Sequence, residues 1–420
     1  MDPLDAGRQL IGHSLAFHII IVALSIGLPF LISIFEWLAW RSNSERLRGF
    51  VRLLAKWAAV FVIGGVMSGT IIALQFSTLW APFLDASRPE VGKFFQLEGY
   101  MFLIEAAFLS WYFATMKQVG TRKHFLISLP INIGTIGSAF FITAVNAWMN
   151  NPSAQFTTTT ANEISHSVVS YLFSTTLIVL AFVAWRSLHK QSKPTMTFIN
   201  KLMGQLSIIA LVLMGTLGVL GHQSAVDIGN TQPHKLAAIE LLDKTGPNAP
   251  MRIGGEMTDT GKAEGGIVIP GLLSILAGYS PEAVVKGLDQ IPRDKWPPLV
   301  VHALFDIKMA LVGLSTALIA LAVFFYWRYK SFPRLFRTML IPFGVLGLLM
   351  VELGWYITEL GRQSWTIVGK QLTADAFTVG ANIHNSIIVF VLLFGVLGLS
   401  TLFALSYATK HWRNTEKQSW

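Results

Sequence analysis

Nine stretches of predominantly apolar residues recur from one end of this 420-residue chain to the other, at about 12–38, 55–75, 97–116, 125–147, 164–185, 203–222, 300–326, 338–358 and 380–408. A helix rises about 1.5 Å per residue, so roughly 20 such residues cross a hydrocarbon layer about 30 Å thick. No soluble core accommodates nine of them, and only 13% of the chain is charged, too little to clothe a soluble surface. The expected fold is an all-α integral membrane protein with nine transmembrane helices. The first stretch is read as retained rather than as a signal peptide, because it is long and follows Asp2, Asp5 and Arg8 instead of a basic segment. Residues 1–222 then hold helices one to six, 223–299 form one long loop, and 300–420 hold helices seven to nine with a short tail.

The net charge of +9 does not point to nucleic acid, since the basic residues sit between apolar spans. Nineteen Lys and Arg follow the odd-numbered spans, from Arg41, Arg46, Arg48, Arg52 and Lys56 to Lys410, Arg413 and Lys417, against five in the N-terminus and short loops on the other side. The positive-inside rule therefore puts the N-terminus outside and the C-terminus in the cytoplasm. The long loop falls outside. Its Gly- and Pro-rich stretch 246–271 reads as folded but partly mobile. No internal repeat is visible, which disfavours a transporter of two related halves.

Ionisable groups within spans cost about 2.5–3.5 kcal/mol each on insertion scales, so their positions carry function by default. His18, Glu98, Glu105, His166, Asp306, Lys308 and His384 come early in outward-to-inward spans; Gln75, Asn146, His222 and Glu352 come late in the returning ones. Apart from Glu36, at the inner boundary of span one, these groups therefore share the outer half of the membrane. Cysteine is absent, which excludes thiolate haem, Cys-held zinc and iron–sulfur clusters. The remaining chemistry is haem ligation by His, Met or a carboxylate, or proton relay. His18 sits in LAFHIIIV and Glu352 in LLMVELGW, where each needs a metal or a neighbouring helix as partner; His166 is equally compatible with an interfacial position. Glu98 and Glu105 are two helical turns apart and face one direction, an arrangement that suits a relay because two carboxylates on one buried face rarely ionise together.

Several segments, in order, resemble subunit I of the cytochrome bd-type quinol oxidases, in its short quinol-loop form: RQLIGHSLAFH at 8–18, ALQFSTLW at 73–80, QLEGYMFLIE at 96–105, VNAWMNNP at 145–152, HKLAAIE at 234–240, VELGW at 351–355 and GRQSW at 361–365. The resemblance implies a low-spin b haem held by His166 and a methionine of span seven, and a high-spin pair served by His18 and Glu352. That makes two b-type haems and one haem d, or a third b-type haem. It further implies Lys235 and Glu240 as quinol-binding residues, Glu98 and Glu105 in catalytic proton handling, and Gln75, Asn146, Lys308, Arg362, Gln363 and Trp365 in support of the haems. Quinol would be oxidised at the outer face and O2 reduced to water with protons from the cytoplasm. The partners implied are a second membrane subunit, a small single-span subunit as a further candidate, membrane quinol and O2. The setting implied is a bacterial or archaeal cell (inner) membrane.

The sequence departs from that family pattern in places. The two glutamates are seven apart where eight is expected, GRQSW stands for GRQPW, Leu348 replaces a tryptophan, and His384 has no counterpart. In span seven the segment LFDIKMAL puts Lys308 where the family methionine falls, with Met309 next to it. Adjacent helical residues point about 100° apart, so one of the two faces the iron. Met309 is the favoured ligand because a thioether needs no proton loss, and Lys308 then acts as a nearby charge. Two other readings are a haem b electron-transfer subunit without oxygen reduction and a proton-coupled transporter.

Overall fold

The computed structural model describes residues 2–152, 157–378, 380 and 382–415, with side chains through residue 410. Lys417 and the rest of the tail beyond 415 lie outside the described residues. Nine long helices follow the nine apolar stretches: α1 (Pro3–Ser42), α2 (Glu45–Leu79), α3 (Ala81–Ala114), α4 (Arg122–Asn150), α5 (Thr158–Ser187), α6 (Lys193–Thr231), α9 (Val300–Tyr329), α10 (Arg334–Leu360) and α12 (Ile383–Thr415). Three short helices, α7 (Pro233–Ile239), α8 (Leu272–Gly278) and α11 (Thr373–Ala376), lie in the connections. Eight of the long helices are apolar and long enough to cross a membrane. The remaining one, α3, carries Asp85, Arg88, Glu90 and Lys93 in its first half and Glu98 and Glu105 in its second, which lower its hydropathy. The fold is thus an all-α membrane bundle.

The helices outrun the apolar stretches because they continue as amphipathic turns beyond the hydrocarbon. α3 starts 16 residues before position 97, and α6 runs on to Thr231, so the long loop begins at 232 rather than 223. Starts are set by local chemistry: Ser44 accepts from Leu47 N, Thr121 from His124 N and Ser192 from Thr195 N, while Thr157 and Thr160 form a capping box on α5.

The loop is built of α7, α8 and two antiparallel hairpins, β1 (Met251–Ile253) with β4 (Ile267–Ile269) and β2 (Glu256–Met257) with β3 (Ala263–Glu264). Leu236, Ala237, Leu242, Leu273 and Leu288 form its own small core. A third hairpin, β5 (Trp365–Ile367) with β6 (Gln371–Leu372), follows α10 at the same end of the bundle.

α1 packs against α2, α4 and α5, and α5 in turn against α6 and α10, so α1 and α5 are the central pair. Lipid is as apolar as leucine, so close packing and interhelical hydrogen bonds hold helices together in a bilayer, each such bond contributing on the order of 0.6–1.7 kcal/mol. The α1–α5 contact shows both: Thr175 Oγ1 donates to Ala23 O at 2.9 Å, and Gly27 lies under the same threonine, where any side chain would collide. Between α3 and α4, a Cβ on Gly134 would come within 2.7 Å of Glu105 N. The outer faces are apolar and exposed along α9 (Ile307, Leu314, Leu321) and along α12 (Val391, Val396, Phe403), as contact with lipid or another membrane chain requires.

Candidate functional site

The polar residues of the spans gather at the end of the bundle that carries the long loop. His18 on α1 places Nδ1 2.7 Å from Ser68 Oγ on α2. That hydroxyl already donates to Gly64 O at 2.8 Å, so it accepts from His18, and the other ring nitrogen, Nε2, keeps a free lone pair. Gly69 lies beside the ring, where a Cβ would approach Cε1 to 3.4 Å. One turn before His18, Ser14 accepts from Gln75 Nε2 at 2.8 Å, and Gln75 Oε1 is buried without a partner. Glu352 on α10 is 9% exposed, and neither of its carboxylate oxygens has a hydrogen-bond partner. Its nearest titratable neighbours include Tyr171 on α5 and Tyr356.

His166 on α5 has a buried Nδ1 with no partner. Lys308 on α9 lies within electrostatic range of it, and its Nζ reaches α10, within 2.9 Å of the point where a Cβ on Gly354 would stand. Met309, expected to face the iron, is 43% exposed on the outer side of α9. The packing of α9 against α6 and α10 turns Lys308 inward and Met309 outward, the reverse of the sequence expectation.

Above these groups lies a polar network. Asn150 Oδ1 accepts from Lys235 Nζ at 3.3 Å and from Arg362 Nη1 at 3.2 Å. Arg362 also pairs with Glu359, whose other oxygen accepts from Asn146 Nδ2 at 2.7 Å. Gln363 accepts from Arg8 at 3.1 Å, which ties the start of α1 to the segment after α10. Burial lowers Lys235 to about 8, assisted by the Arg362 charge and opposed by Glu163 and Glu359. Glu240, which closes α7, points away from Lys235, as five residues on a helix, about 140° of turn, require. It lies instead near Asp306, with Oε2 unpartnered, and burial followed by the Asp306 charge raises it to about 8. His302 anchors this corner, one ring nitrogen 2.6 Å from Ile239 O and the other 3.1 Å from Gly254 O. A cavity of about 690 Å³ opens between the loop and β5, lined by His234, Lys286, Ile291, Lys295, Trp365 and Val368 among others.

Glu98 and Glu105 both face α4. Ser138 donates to Glu98 Oε1 at 2.8 Å, and Glu105, 6% exposed, packs on Gly134. The seven-residue spacing therefore keeps both carboxyls on one helix interface. His384 is exposed at the start of α12, and His222 packs edge-on to Tyr279, 5.2 Å between centroids.

The donor set fits haem iron. Porphyrin supplies four of the iron's bonds, so one or two protein donors are enough. Among the described residues no group of three or more His, Asp or Glu is close enough to hold an ion unaided, while His18 Nε2, His166 Nδ1 and the Glu352 carboxylate stand as single donors in apolar surroundings. Sequence reading missed Ser68, Asn150, Glu359 and His302. The first three are ordinary polar residues whose importance comes from partners on other helices, and His302 lies outside every quoted motif.

Comparison with known proteins gives the family. The family described as cytochrome bd terminal oxidase subunit I matches residues 7–412. A Bacillus subtilis chain described as a cytochrome bd menaquinol oxidase subunit I is 30% identical over 97% of this chain and 96% of its own length. A cytochrome bd ubiquinol oxidase subunit 1 of the same organism is 25% identical over 96% and 92%. Among solved structures, the bd oxidase from Geobacillus thermodenitrificans superposes with a TM-score of 0.89 at 28% identity, covering 98% of this chain and 99% of that one.

Proposed function

This chain belongs to the cytochrome bd terminal oxidase subunit I family, and from that premise we propose how its own residues divide the work. Membership makes it the haem-containing, multi-pass membrane subunit of a quinol-oxidising terminal oxidase, an enzyme that works with a second membrane subunit. The electron-transfer and transporter readings are not favoured. The finer reading is nine spans, with the N-terminus outside and the C-terminus in the cytoplasm of a bacterial or archaeal cell. It includes two b-type haems with one haem d or a third b-type haem, and a small single-span subunit as a further partner.

Bound haem supplies one-electron chemistry and an oxygen-binding iron. His18 and Glu352 serve the high-spin pair and His166 the low-spin haem. Lys308, whose side chain turns inward, rather than the outward Met309, would be the second residue to hold that haem. Asn146, Gln75, Arg362, Gln363 and Trp365 position these groups, Arg362 offering a buried cation to anionic substituents.

Quinol oxidation yields two electrons and two protons. Glu240, with an unpartnered oxygen, takes a quinol proton, and Lys235 holds the ring oxygen by donating to it. Glu98 and Glu105 carry protons toward the oxygen site along the α3–α4 interface.

The observation that carries this reading is the set of three lone metal-competent donors at the loop end. A reduced-minus-oxidised spectrum with quinol-driven oxygen consumption tests it. Haem b bands with high-spin haem and oxygen uptake are expected, and b bands without oxygen uptake would overturn it.

A further inference from the structure

Every residue given a role in the proposed chemistry lies toward the loop end or in the middle of the bundle. At the opposite end Glu36 on α1, Tyr112 on α3 and His124 on α4 are each 0% exposed, and the proposed chemistry touches none of them. Glu36 Oε1 is 2.9 Å from His124 Nδ1 and accepts from Gly120 N at 2.7 Å; Oε2 accepts from Tyr112 OH at 2.9 Å. The other imidazole nitrogen, Nε2, is 3.1 Å from Tyr112 O. A carbonyl only accepts, so Nε2 carries a proton. A carboxylate oxygen faces Nδ1, so a second proton lies between them, on either side of that contact. The pair therefore holds one proton beyond a carboxylate and a neutral imidazole. With that proton it is neutral, and without it the charge is −1. Arg48, which lies over Gly120 within 2.5 Å of a Cβ built there, and Arg52, within electrostatic range of Tyr112, are the cations that face the cluster from α2, and both also pair with Glu45. They lower the cost of the charge left after release.

From this cluster a polar stripe climbs α4. His124, Ser128, Asn132, Thr135 and Ser138 fall within about 120° of the helix circumference and span about 21 Å. Ser128 Oγ is 2.8 Å from Ser33 Oγ, which accepts from Asn132 Nδ2 at 2.7 Å. Asn132 Oδ1 is buried without a partner, a site for a bridging water. The stripe ends where Ser138 donates to Glu98.

We propose that the Glu36–His124 pair is a proton-loading site for oxygen reduction, filled from the end opposite the loop and emptied along the α4 stripe to Glu98. Reduction of one O2 to two waters takes four electrons and four protons, and the pair passes these protons singly, each transfer leaving it at −1 until an aqueous proton refills it. This rests on the proposed function and orientation.

The test uses the assembled oxidase in liposomes. The fully reduced enzyme is mixed with O2 while haem oxidation and a pH dye on each side are followed. Glu36→Gln and His124→Gln should keep the haem spectra and quinol-driven haem reduction, while proton uptake slows at least tenfold and turnover falls with it; Glu36→Asp should recover most of the rate. Asn132→Leu, which leaves the cluster whole and interrupts the stripe, should slow the same phase. Wild-type uptake in both glutamine variants, or haem loss in both with normal uptake in Asn132→Leu, overturns the proposal. Uptake by the wild type from the loop side overturns the orientation instead, and absence of oxygen reduction overturns the functional reading.

Discussion

Ser68 Oγ stands 2.7 Å from His18 Nδ1 and, with its own proton committed to Gly64 O, fixes which imidazole nitrogen is free. Partners of this kind usually change metal affinity 10–100-fold when removed. Ser68→Ala is therefore expected to lower high-spin haem occupancy while the low-spin bands persist, and His18→Ala to abolish both high-spin haem and oxygen consumption. Haem per polypeptide, read by pyridine haemochrome, checks this. Full high-spin occupancy in His18→Ala would remove His18 from the site.

The loop residues predict a pH dependence. Glu240, raised to about 8, is protonated below that pH and gains the capacity to take a quinol proton above it; Lys235, lowered to about 8, loses its charge above it. Quinol oxidation should peak in a narrow bell near pH 8. Glu240→Gln should flatten its acid limb and Lys235→Met its alkaline limb, each with roughly a tenfold loss of turnover. An artificial donor that reduces the haems directly should show neither limb.

The same shifts act on stability. The folded state holds Glu240's proton between pH 4.5 and about 8 where the unfolded state has lost it, so stability falls as pH rises through that window. Between about 8 and 10.5 the unfolded state binds Lys235's proton and the folded state does not, so stability rises with pH there. Hydrogen exchange of residues 233–240 should show a protection minimum near pH 8, and Glu240→Gln should remove the loss on the acid side.

Asn150 serves two buried cations with one oxygen, Lys235 at 3.3 Å and Arg362 at 3.2 Å. Asn150→Leu takes the hydrogen-bond acceptor from Lys235 and leaves Arg362 to Glu359 alone, and an unsatisfied buried donor costs about 1–3 kcal/mol. A lower melting temperature and a rise in quinol KM are expected, larger than for Asn146→Leu, which leaves Lys235 its acceptor on Asn150.

The helices were legible because a bilayer demands long apolar runs, and His18, His166 and Glu352 emerged as candidates because single polar residues stand out in such runs. Where α3 begins and where α6 ends was not legible, since those turns are more polar and lose the apolar signal. The Glu36–His124 contact joins residues 88 apart, and Asn150 meets Lys235 and Arg362 only after three helices and a loop have packed. Facing is a tertiary property too. Periodicity says that Lys235 and Glu240 diverge on a short helix, but not that Glu163 lies near one and Asp306 near the other.

Span seven gives the sharpest test of facing. Lys308 reaches Gly354 on α10 and acts on His166, while Met309 is 43% exposed. A neutral amine is a competent axial donor, and an inward lysine among apolar helices needs either an iron or an anion beside it. Thioether ligation raises a haem potential, so an amine in its place should leave the low-spin haem with a lower one. Met309→Leu is therefore expected to leave the low-spin spectrum and quinol oxidation within about twofold of wild type. Lys308→Leu should convert that haem to a high-spin form. Lys308→Met should restore a low-spin spectrum with a higher midpoint potential and altered near-infrared charge-transfer bands, a signature that a merely structural lysine would not produce. Loss of the low-spin form in Met309→Leu, with Lys308→Leu unaffected, would return the ligand to Met309 and require α9 to be turned by about 100° in the assembled oxidase.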